Sequence, residues 1–170
     1  MSLARPIRAH AAKRGEAMIL FEVASSLFAI SAAAVEEIRS ASTLEPFTPS
    51  PRVRVPTVRY TMTRQARTTF VVDANLHFRI LPSPITRVLM LRNSPVGVAV
   101  GQTHRMTEIS SLYALPQAFT GIEREWYRGL ALFGEDVVPV VNPAAFLDQA
   151  QLERLQLGFG KQNPAKGATA

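Results

Sequence analysis

The sequence contains no cysteine, and its other chemistry-bearing residues are sparse. Without cysteine, disulfides, thiol nucleophiles and cysteine-based metal sites are excluded. The three histidines, His10, His77 and His104, have no partner at a metal-ligand spacing. The nine glycines form no phosphate-binding loop, and no GxSxG, Walker or GxGxxG motif occurs. We therefore predict a protein without a bound metal or cofactor.

Acidic residues offer no catalytic pair either. The only neighbouring carboxylates are Glu36 with Glu37 and Glu135 with Asp136. Adjacent side chains point apart on a helix or a strand, so neither pair makes a general acid and base that could act together. The sequence therefore predicts that the protein is not an enzyme.

A long hydrophobic run is also missing. The most apolar stretch, MILFEVASSLFAISAAAV at residues 18–35, follows a basic segment and so resembles a signal peptide. However, Glu22 interrupts it, and the break at Ser25 and Ser26 suits a turn between two strands. No uninterrupted run reaches the roughly 18–20 residues that a membrane helix requires. We predict no membrane insertion and a cytoplasmic location.

The chain nevertheless has the composition of a folded domain, because 47% of its 170 residues are apolar. Residues 1–16 are basic and have little to bury, so they predict a flexible N-terminal arm. Residues 156–170 are small and polar and predict a flexible C-terminal tail. A single domain is expected between them, over residues 17–155.

Short strands at close spacing dominate this domain. Runs of β-branched and aromatic residues flank turn residues, which is typical of hairpins. Helices are expected only at residues 32–39, with Ser31 as the N-cap, and at 142–155, with Asn142 as the cap before Pro143. The segment at 108–112 is expected to be a loop. Four hairpins are predicted, at residues 18–30, 57–72, 86–100 and 127–141. This pattern favours small β-barrels over alternating strands and helices.

Two of these hairpins resemble each other. Residues 59–73 read RYTMTRQARTTFVVD and residues 128–142 read RGLALFGEDVVPVVN, and they align without a gap at an offset of 69 (128 − 59). Each is a strand, a polar turn and a strand that ends in a residue able to cap the next segment. Two copies indicate a duplicated unit rather than a solenoid, which needs at least three repeats.

Positive charge is concentrated between residues 46 and 80. This segment holds six arginines against one acidic residue, Asp73. A basic stripe of this kind is typical of a solvated strand face, or of a surface that binds an acidic protein or phosphates. Small barrels bind single-stranded nucleic acid through a basic groove with stacking aromatics. The aromatics here, Tyr60, Phe70 and Phe78, follow no known base-stacking spacing, so nucleic acid is an alternative rather than the main prediction.

The stretch WYRGLALFGEDVVPVVNPAAFL, residues 126–147, resembles the C-terminal signature of CheW-like domains. The opening hairpin, the Val-x-Glu-Ile segment formed by Val35, Glu37 and Ile38, and the proline-rich link after it also resemble that family. The resemblance implies a mainly β fold: two five-stranded SH3-like β-barrel subdomains that share a core, with short helices.

The resemblance also implies a role. CheW-like proteins are non-enzymatic adaptors that couple methyl-accepting chemoreceptors to a CheA-type histidine kinase, through the regulatory domain of the kinase and the hairpin tip of the receptor. Those two proteins are therefore the expected partners. The alternatives are a basic nucleic-acid-binding barrel and a CheW-like fold that is used as a protein-interaction module outside chemotaxis.

The chain departs from the family pattern in its first hairpin copy. Both expected glycines are replaced, Gln65 stands where the family has a turn arginine on its receptor-binding surface, and Phe70 replaces a proline. We therefore expect a divergent member. By position, the resemblance assigns protein interaction to Val35, Glu37, Ile38, Tyr60, Gln65, Arg67, Val98 and Val100.

Overall fold

The computed structural model describes residues 15–162, which form two β-sheets and a few helices. Most of the predicted N-terminal arm and residues 163–170 of the predicted tail lie outside this range. The strands are β1 (Glu16–Val23), β2 (Ser26–Ser31), β3 (Val35–Ser40), β4 (Glu45–Pro46), β5 (Val58–Arg64), β6 (Arg67–Asp73), β7 (Arg87–Leu91), β8 (Val96–Val100), β9 (Thr103–Ile109), β10 (Tyr127–Phe133) and β11 (Asp136–Val141). The α-helices are α1 (Ala74–His77), α2 (Glu123–Trp126) and α3 (Gln149–Gln162). Short 3-10 helices lie at Ala32–Ala34, Ala41–Thr43, Pro51–Val53 and Pro143–Ala145.

The first sheet has five strands in the order β10-β11-β2-β1-β9, and the second has six in the order β3-β7-β8-β6-β5-β4. Within residues 15–162, the outermost strands of each sheet do not pair, so neither sheet is closed by strand pairing into a barrel. An isolated antiparallel bridge between Tyr113 and Leu130 adds backbone hydrogen bonds at the edge of β10. The prediction of a mainly β fold with two subdomains and few helices is confirmed, and the second sheet has six strands where five were predicted.

The two halves of the chain exchange strands. The first sheet combines β1 and β2 with β9, β10 and β11, whereas the second combines β3 to β6 with β7 and β8. Four strand pairs join the halves: β11 beside β2 and β6 beside β8 are parallel, and β1 beside β9 and β3 beside β7 are antiparallel. The first sheet therefore needs strands from both ends of the sequence.

The similarity of residues 59–73 to 128–142 extends to the backbone. In the β5–β6 hairpin the pairing register shifts between Val58 and Tyr60, and in the β10–β11 hairpin it shifts between Tyr127 and Gly129. These positions are again 69 residues apart (127 − 58 and 129 − 60). A β-bulge at equivalent positions is a structural feature rather than a coincidence of composition. The predicted duplication is thus visible in the geometry.

Both hairpins also end in the same kind of cap. The Asp73 carboxylate accepts from the Asn75 backbone N–H at 2.9 Å, and the Asn142 side-chain oxygen accepts from the Ala144 N–H at 3.2 Å. These side chains satisfy backbone donors that a short helix leaves free. Asp73 and Asn142 therefore cap α1 and the Pro143–Ala145 turn respectively, as predicted.

The core lies mainly between the two sheets. Phe28 stacks on Phe78 with ring centroids 4.5 Å apart, and Val98 and Val100 are fully buried there. Two smaller apolar clusters complete the core, one around Met18 in the first sheet and the other around Met62 in the second.

The predicted helix at residues 32–39 is wrong beyond its first turn. Only Ala32–Ala34 is helical, and β3 begins at Val35. Alanine and glutamate favour helices, but pairing with β7 decides the outcome here, with Ile38 opposite Leu89. The cap prediction is also wrong, because the Ser31 side chain makes no cap hydrogen bond.

Three other boundaries differ from the predictions. The segment at 108–112 is not all loop, because β9 continues through Ile109 beside β1. The predicted helix at 142–155 is a 3-10 helix followed by α3, and α3 runs on through Gln162, past the expected start of the tail. The extension has a packing reason: the Phe159 ring contacts Phe47 and Phe70, with centroids 6.4 and 6.0 Å away.

Candidate functional site

An open groove of about 730 Å³ lies on the second sheet, between β3, the β5–β6 turn and the β7–β8 turn. We call it the charged groove, because three arginines and two glutamates are among its lining residues. Its walls also include short polar and apolar side chains. The lining residues are Glu36, Glu37, Arg39, Arg64, Gln65, Arg67, Thr68, Thr69, Met90, Leu91, Asn93, Ser94 and Pro95.

Glu37 holds two of these arginines. Arg64 Nη1 donates to Glu37 Oε2 at 2.9 Å, and Arg39 Nε lies 3.5 Å from Glu37 Oε1. Arg39 also donates to the Met62 sulfur at 3.6 Å. The Arg64–Glu37 and Arg39–Met62 contacts link β3 to β5, which are not neighbours in the sheet, whereas the Arg39–Glu37 pair lies within β3. Glu37, Arg39 and Arg64 thus lie together at one side of the charged groove.

The β5–β6 turn that borders the groove has an unusual backbone. Gln65 and Ala66 have φ values of 49° and 61°, both in the left-handed region. A two-residue hairpin turn of this kind normally uses asparagine and glycine, since residues with a Cβ are strained there. The turn keeps the geometry of a tight hairpin without the glycine that would relieve the strain.

The structure brings together three of the eight predicted interaction residues. Glu37, Gln65 and Arg67 all line the charged groove, and all are exposed. Ile38 is 40% exposed on the edge strand β3, but it does not line the groove. Tyr60 is half-buried and lines a separate cavity of about 660 Å³ with Leu44, Pro46 and Ile85.

The other three predicted residues belong to the core. Val35 is 6% exposed, and Val98 and Val100 are inaccessible. Their side chains pack inside the protein, and their assignment to protein interaction stays a prediction. They support the strands whose outer residues form the surface.

The sequence does not predict either of the two arginines that contact Glu37. Arg39 and Arg64 were not assigned a role, although Arg64 makes the shortest ion pair in the groove. Arg64 could have been noticed, because it directly precedes the position where the family arginine is missing. Arg39 could not, since a helix is predicted at its position and its place in the groove depends on the strand β3.

A second exposed surface lies on the β10–β11 hairpin. Leu130 faces Pro139 and Leu132 faces Val137 across the two strands, so all four side chains lie on one face. Leu132 is 51% exposed and Val137 is 60% exposed, while Leu130 and Pro139 are half-buried. We call these four residues the apolar ladder.

The titratable groups elsewhere are structural. His77 packs among Phe78, Trp126 and Phe146, and burial lowers its pKa to about 4. Burial likewise raises the pKa of Tyr127 to about 12. Across residues 15–162, no group of three or more His, Asp or Glu side chains is placed to hold a metal ion. In the same range, no helix combines the length and the hydrophobicity needed to cross a membrane.

The basic stripe does not carry a stacking surface. Phe70 and Phe78 are buried in the core, and Arg79 lies over the Trp126 ring at 5.8 Å from its centroid. Bases stack on exposed aromatic faces in small barrels that bind single strands. Two of the three aromatics that the nucleic-acid alternative would use are therefore inaccessible.

Comparison with known proteins agrees with this architecture. The model of the CheW-like domain family matches residues 17–151. Among solved structures, the scaffolding protein TtCheW from Thermoanaerobacter tengcongensis matches with a TM-score of 0.66 at 16% sequence identity, over 79% of this chain and 94% of that chain. No match was found among curated proteins. Because the family model covers well over half of the 170 residues, the chain belongs to the CheW-like domain family.

Proposed function

We propose that this protein is a non-enzymatic cytoplasmic adaptor that couples chemoreceptors to a CheA-type histidine kinase. One observation carries the proposal: a CheW-like fold over residues 17–151 presents two open surfaces of different chemistry, one on each sheet. An adaptor needs two surfaces that can be occupied at the same time, and a rigid β-fold can supply them without any chemical step.

The charged groove is the proposed receptor surface. It contains three of the residues that the family resemblance assigns to partner binding, Glu37, Gln65 and Arg67. The groove is open to solvent, and the ion pairs of Glu37 lie at its border. The receptor hairpin tip that the family resemblance names is the proposed occupant of this groove.

The apolar ladder is the proposed kinase surface. Large apolar side chains that stand together on an outer strand face are typical of protein interfaces. The regulatory domain of a CheA-type kinase is itself CheW-like and would bring an equivalent hairpin face. Two such faces can pack side chain against side chain, as sheets do in a sandwich.

The alternative that the fold serves as an interaction module outside chemotaxis uses the same two surfaces with other partners. It differs from the proposal only in partner identity. The nucleic-acid alternative has less support, because the aromatic rings near the basic stripe are mostly in the core.

Titration calorimetry of the full chain against two probes tests the proposal. The probes are the regulatory domain of the kinase and a hairpin-tip fragment of a receptor, both encoded in the same genome. Each probe is expected to bind alone, and both are expected to bind together in one complex by size-exclusion chromatography. If neither probe binds, the adaptor proposal is wrong.

A blocking variant locates the receptor surface. Ser94→Trp places a bulky side chain in the charged groove, and Thr107→Trp makes the same kind of change on the exposed strand β9. We expect Ser94→Trp to weaken receptor binding by more than about tenfold while kinase binding is retained. Thr107→Trp should bind the receptor as the wild type does. Equal receptor affinity for the two variants would contradict the assignment of the groove.

A further inference from the structure

Two arginines oppose each other at the end of the β5–β6 hairpin. Arg64 and Arg67 are the last paired residues before the turn, and both line the charged groove. Like charges at directly opposite positions destabilise an antiparallel pair. The turn between them adds strain, because Gln65 and Ala66 are left-handed. Two unfavourable features, the facing like charges and the strained turn, thus occur together at the border of an open groove. Their position points to a role in binding rather than in stability.

Within residues 15–162, only one of these two charges has an ion-pair partner. Both oxygens of the Glu37 carboxylate are engaged, one by Arg64 and the other by Arg39. Glu37 therefore serves as an internal counter-ion and does not offer a free carboxylate to a partner. Arg67 is exposed and forms no ion pair with any residue in the range 15–162. Glu36 also lines the groove and is exposed, so three arginines face two glutamates and the groove carries a net charge of +1 (3 − 2).

Arg64 lies next to the position at which the family carries its turn arginine. The family resemblance places an arginine at position 65, on the receptor-binding surface, and this chain has Gln65 there. Arg64, one residue earlier, reaches the groove and donates through Nη1 to Glu37 at 2.9 Å. A guanidinium has five N–H donors in a planar fork, so this contact leaves donors free for a second carboxylate.

We propose that the charged groove selects an acidic segment of its partner, whose carboxylates accept hydrogen bonds from Arg64 and Arg67. In this assignment Arg64 replaces the missing turn arginine, and Glu37 positions Arg64 instead of contacting the partner. The inference rests on the proposed receptor binding at this groove and specifies the chemistry of the segment that binds there.

Three matched variants test it: Arg64→Gln, Arg67→Gln and the control Arg105→Gln, an exposed arginine on β9 of the other sheet. Affinity for the labelled receptor hairpin-tip fragment is measured by fluorescence anisotropy at low and moderate salt. The first two variants should each lose about tenfold in affinity and show a weaker dependence on salt. The control should stay within about twofold of the wild type.

A rescue variant separates the role of Arg64 from a loss of folding. Arg64→Gln combined with Gln65→Arg moves the arginine to the position that the family uses. It should recover most of the affinity lost in Arg64→Gln, and thermal unfolding of every variant shows whether the fold is retained. A folded double variant that remains as weak as Arg64→Gln would contradict the proposed replacement.

The outcomes distinguish this inference from the proposed function. If the wild type binds the receptor fragment and all three single variants bind equally well, the groove chemistry is wrong but the adaptor role stands. If the wild type does not bind the receptor fragment, the receptor proposal fails and the inference fails with it. If a single-stranded oligonucleotide binds instead, and Arg64→Gln and Arg67→Gln weaken it, the groove recognises phosphates and the acidic-segment inference is overturned.

Discussion

The β5–β6 and β10–β11 hairpins share one backbone plan but present different faces. On β10–β11 the outer face carries the apolar ladder, Leu130, Leu132, Val137 and Pro139. Subtraction of 69 gives the equivalent residues of β5–β6, which are Thr61, Thr63, Thr68 and Phe70. Three polar side chains thus replace apolar ones, and the fourth position changes from proline to phenylalanine.

The difference follows from what covers each hairpin. Phe70 is 2% exposed, because Phe47 and Phe159 pack against it. In the part of the chain that the structure describes, the apolar ladder has no such cover, and Leu132 and Val137 stay exposed. On β5–β6, Thr61 and Phe70 are buried and the exposed residue Thr63 is polar, so no apolar surface is left open there. On β10–β11 the exposed residues of this face are apolar, and they leave a surface available to a partner.

The bulge position shows a second contrast. Gly129 of β10 corresponds to Tyr60 of β5 (129 − 60 = 69). The backbone of Tyr113 crosses directly over Gly129, whereas β4 pairs beside Tyr60. Glycine is therefore required in one copy and dispensable in the other, so the loss of the first family glycine follows from a local change in edge packing.

The largest expected effect is on Gly129→Ala. A Cβ at this position would collide with the Tyr113 carbonyl oxygen and lie 2.9 Å from Leu112 Cγ. We expect the free energy of unfolding to fall by about 4 kcal/mol, measured by urea denaturation. The control Gly160→Ala lies in α3 with no atom within 4 Å of the added Cβ, and it should be neutral or slightly stabilising. Similar values for the two variants would remove the steric explanation of the glycine difference.

The next effect concerns His77, whose equivalent in the other half is Phe146 (146 − 77 = 69). The two rings touch, with centroids 4.6 Å apart. Because burial lowers the pKa of His77 from 6.5 to about 4, the unfolded chain takes up the proton first. Stability should be complete above about pH 6.5 and fall by about 3 kcal/mol as pH drops to 4. His77→Phe should remove this slope in urea titrations, and an unchanged slope would show that His77 is not its source.

A smaller effect is expected when two residues of the apolar ladder are replaced by their counterparts in the β5–β6 hairpin. Leu132→Thr with Val137→Thr installs the residues found at positions 63 and 68. Because both side chains are mostly exposed, stability should change by less than about 0.5 kcal/mol. Affinity for the kinase regulatory domain should fall about tenfold, or about 1.4 kcal/mol by calorimetry. Unchanged kinase affinity in a stable variant would mean that the kinase binds elsewhere.

The smallest effect is electrostatic. Arg128 Nη1 donates to Glu16 at 2.8 Å and thereby lowers the pKa of Glu16 below 4.5. This contribution is present above about pH 4.5 and is lost as pH falls through the lower pKa of the folded state. Both groups are partly exposed, so Arg128→Gln should cost a few tenths of a kcal/mol at pH 7 and less at pH 3. The equivalent change Arg59→Gln serves as the control, since Arg59 has no ion pair among residues 15–162.

The hairpins and their duplication could be predicted from sequence because turn residues and β-branched runs are local signals. The edge strands β3 and β9 could not be predicted from the sequence. Residues 32–39 are rich in alanine and glutamate, and β9 has five consecutive exposed residues, so neither shows the alternation that a half-buried strand displays. Their strand conformation comes from partners that are distant in sequence.

The candidate site was predictable in position but not in detail. The family resemblance assigns protein interaction to Glu37, Gln65 and Arg67, and the structure places all three in the charged groove. The burial of Val35, Val98 and Val100 depends on which face of each strand meets the other sheet. The local sequence does not indicate which face that is. The same is true of α3. Its segment Gly158-Phe159-Gly160 has the composition of a flexible tail, and only the structure shows that Gly158 packs against Val53.

The exchange of strands between the two halves also governs how the protein can form. Ala29 pairs with Val140, and Glu16 pairs with Ile109, so the first sheet joins residues about a hundred positions apart. Such non-local pairing slows folding, because long loops must close before the contacts are gained. During synthesis, the apolar faces of the β1–β2 hairpin stay uncovered until β9 and β11 have been made. Neither half can therefore act as an independent folding unit, and truncation anywhere before β11 should leave a chain that does not fold.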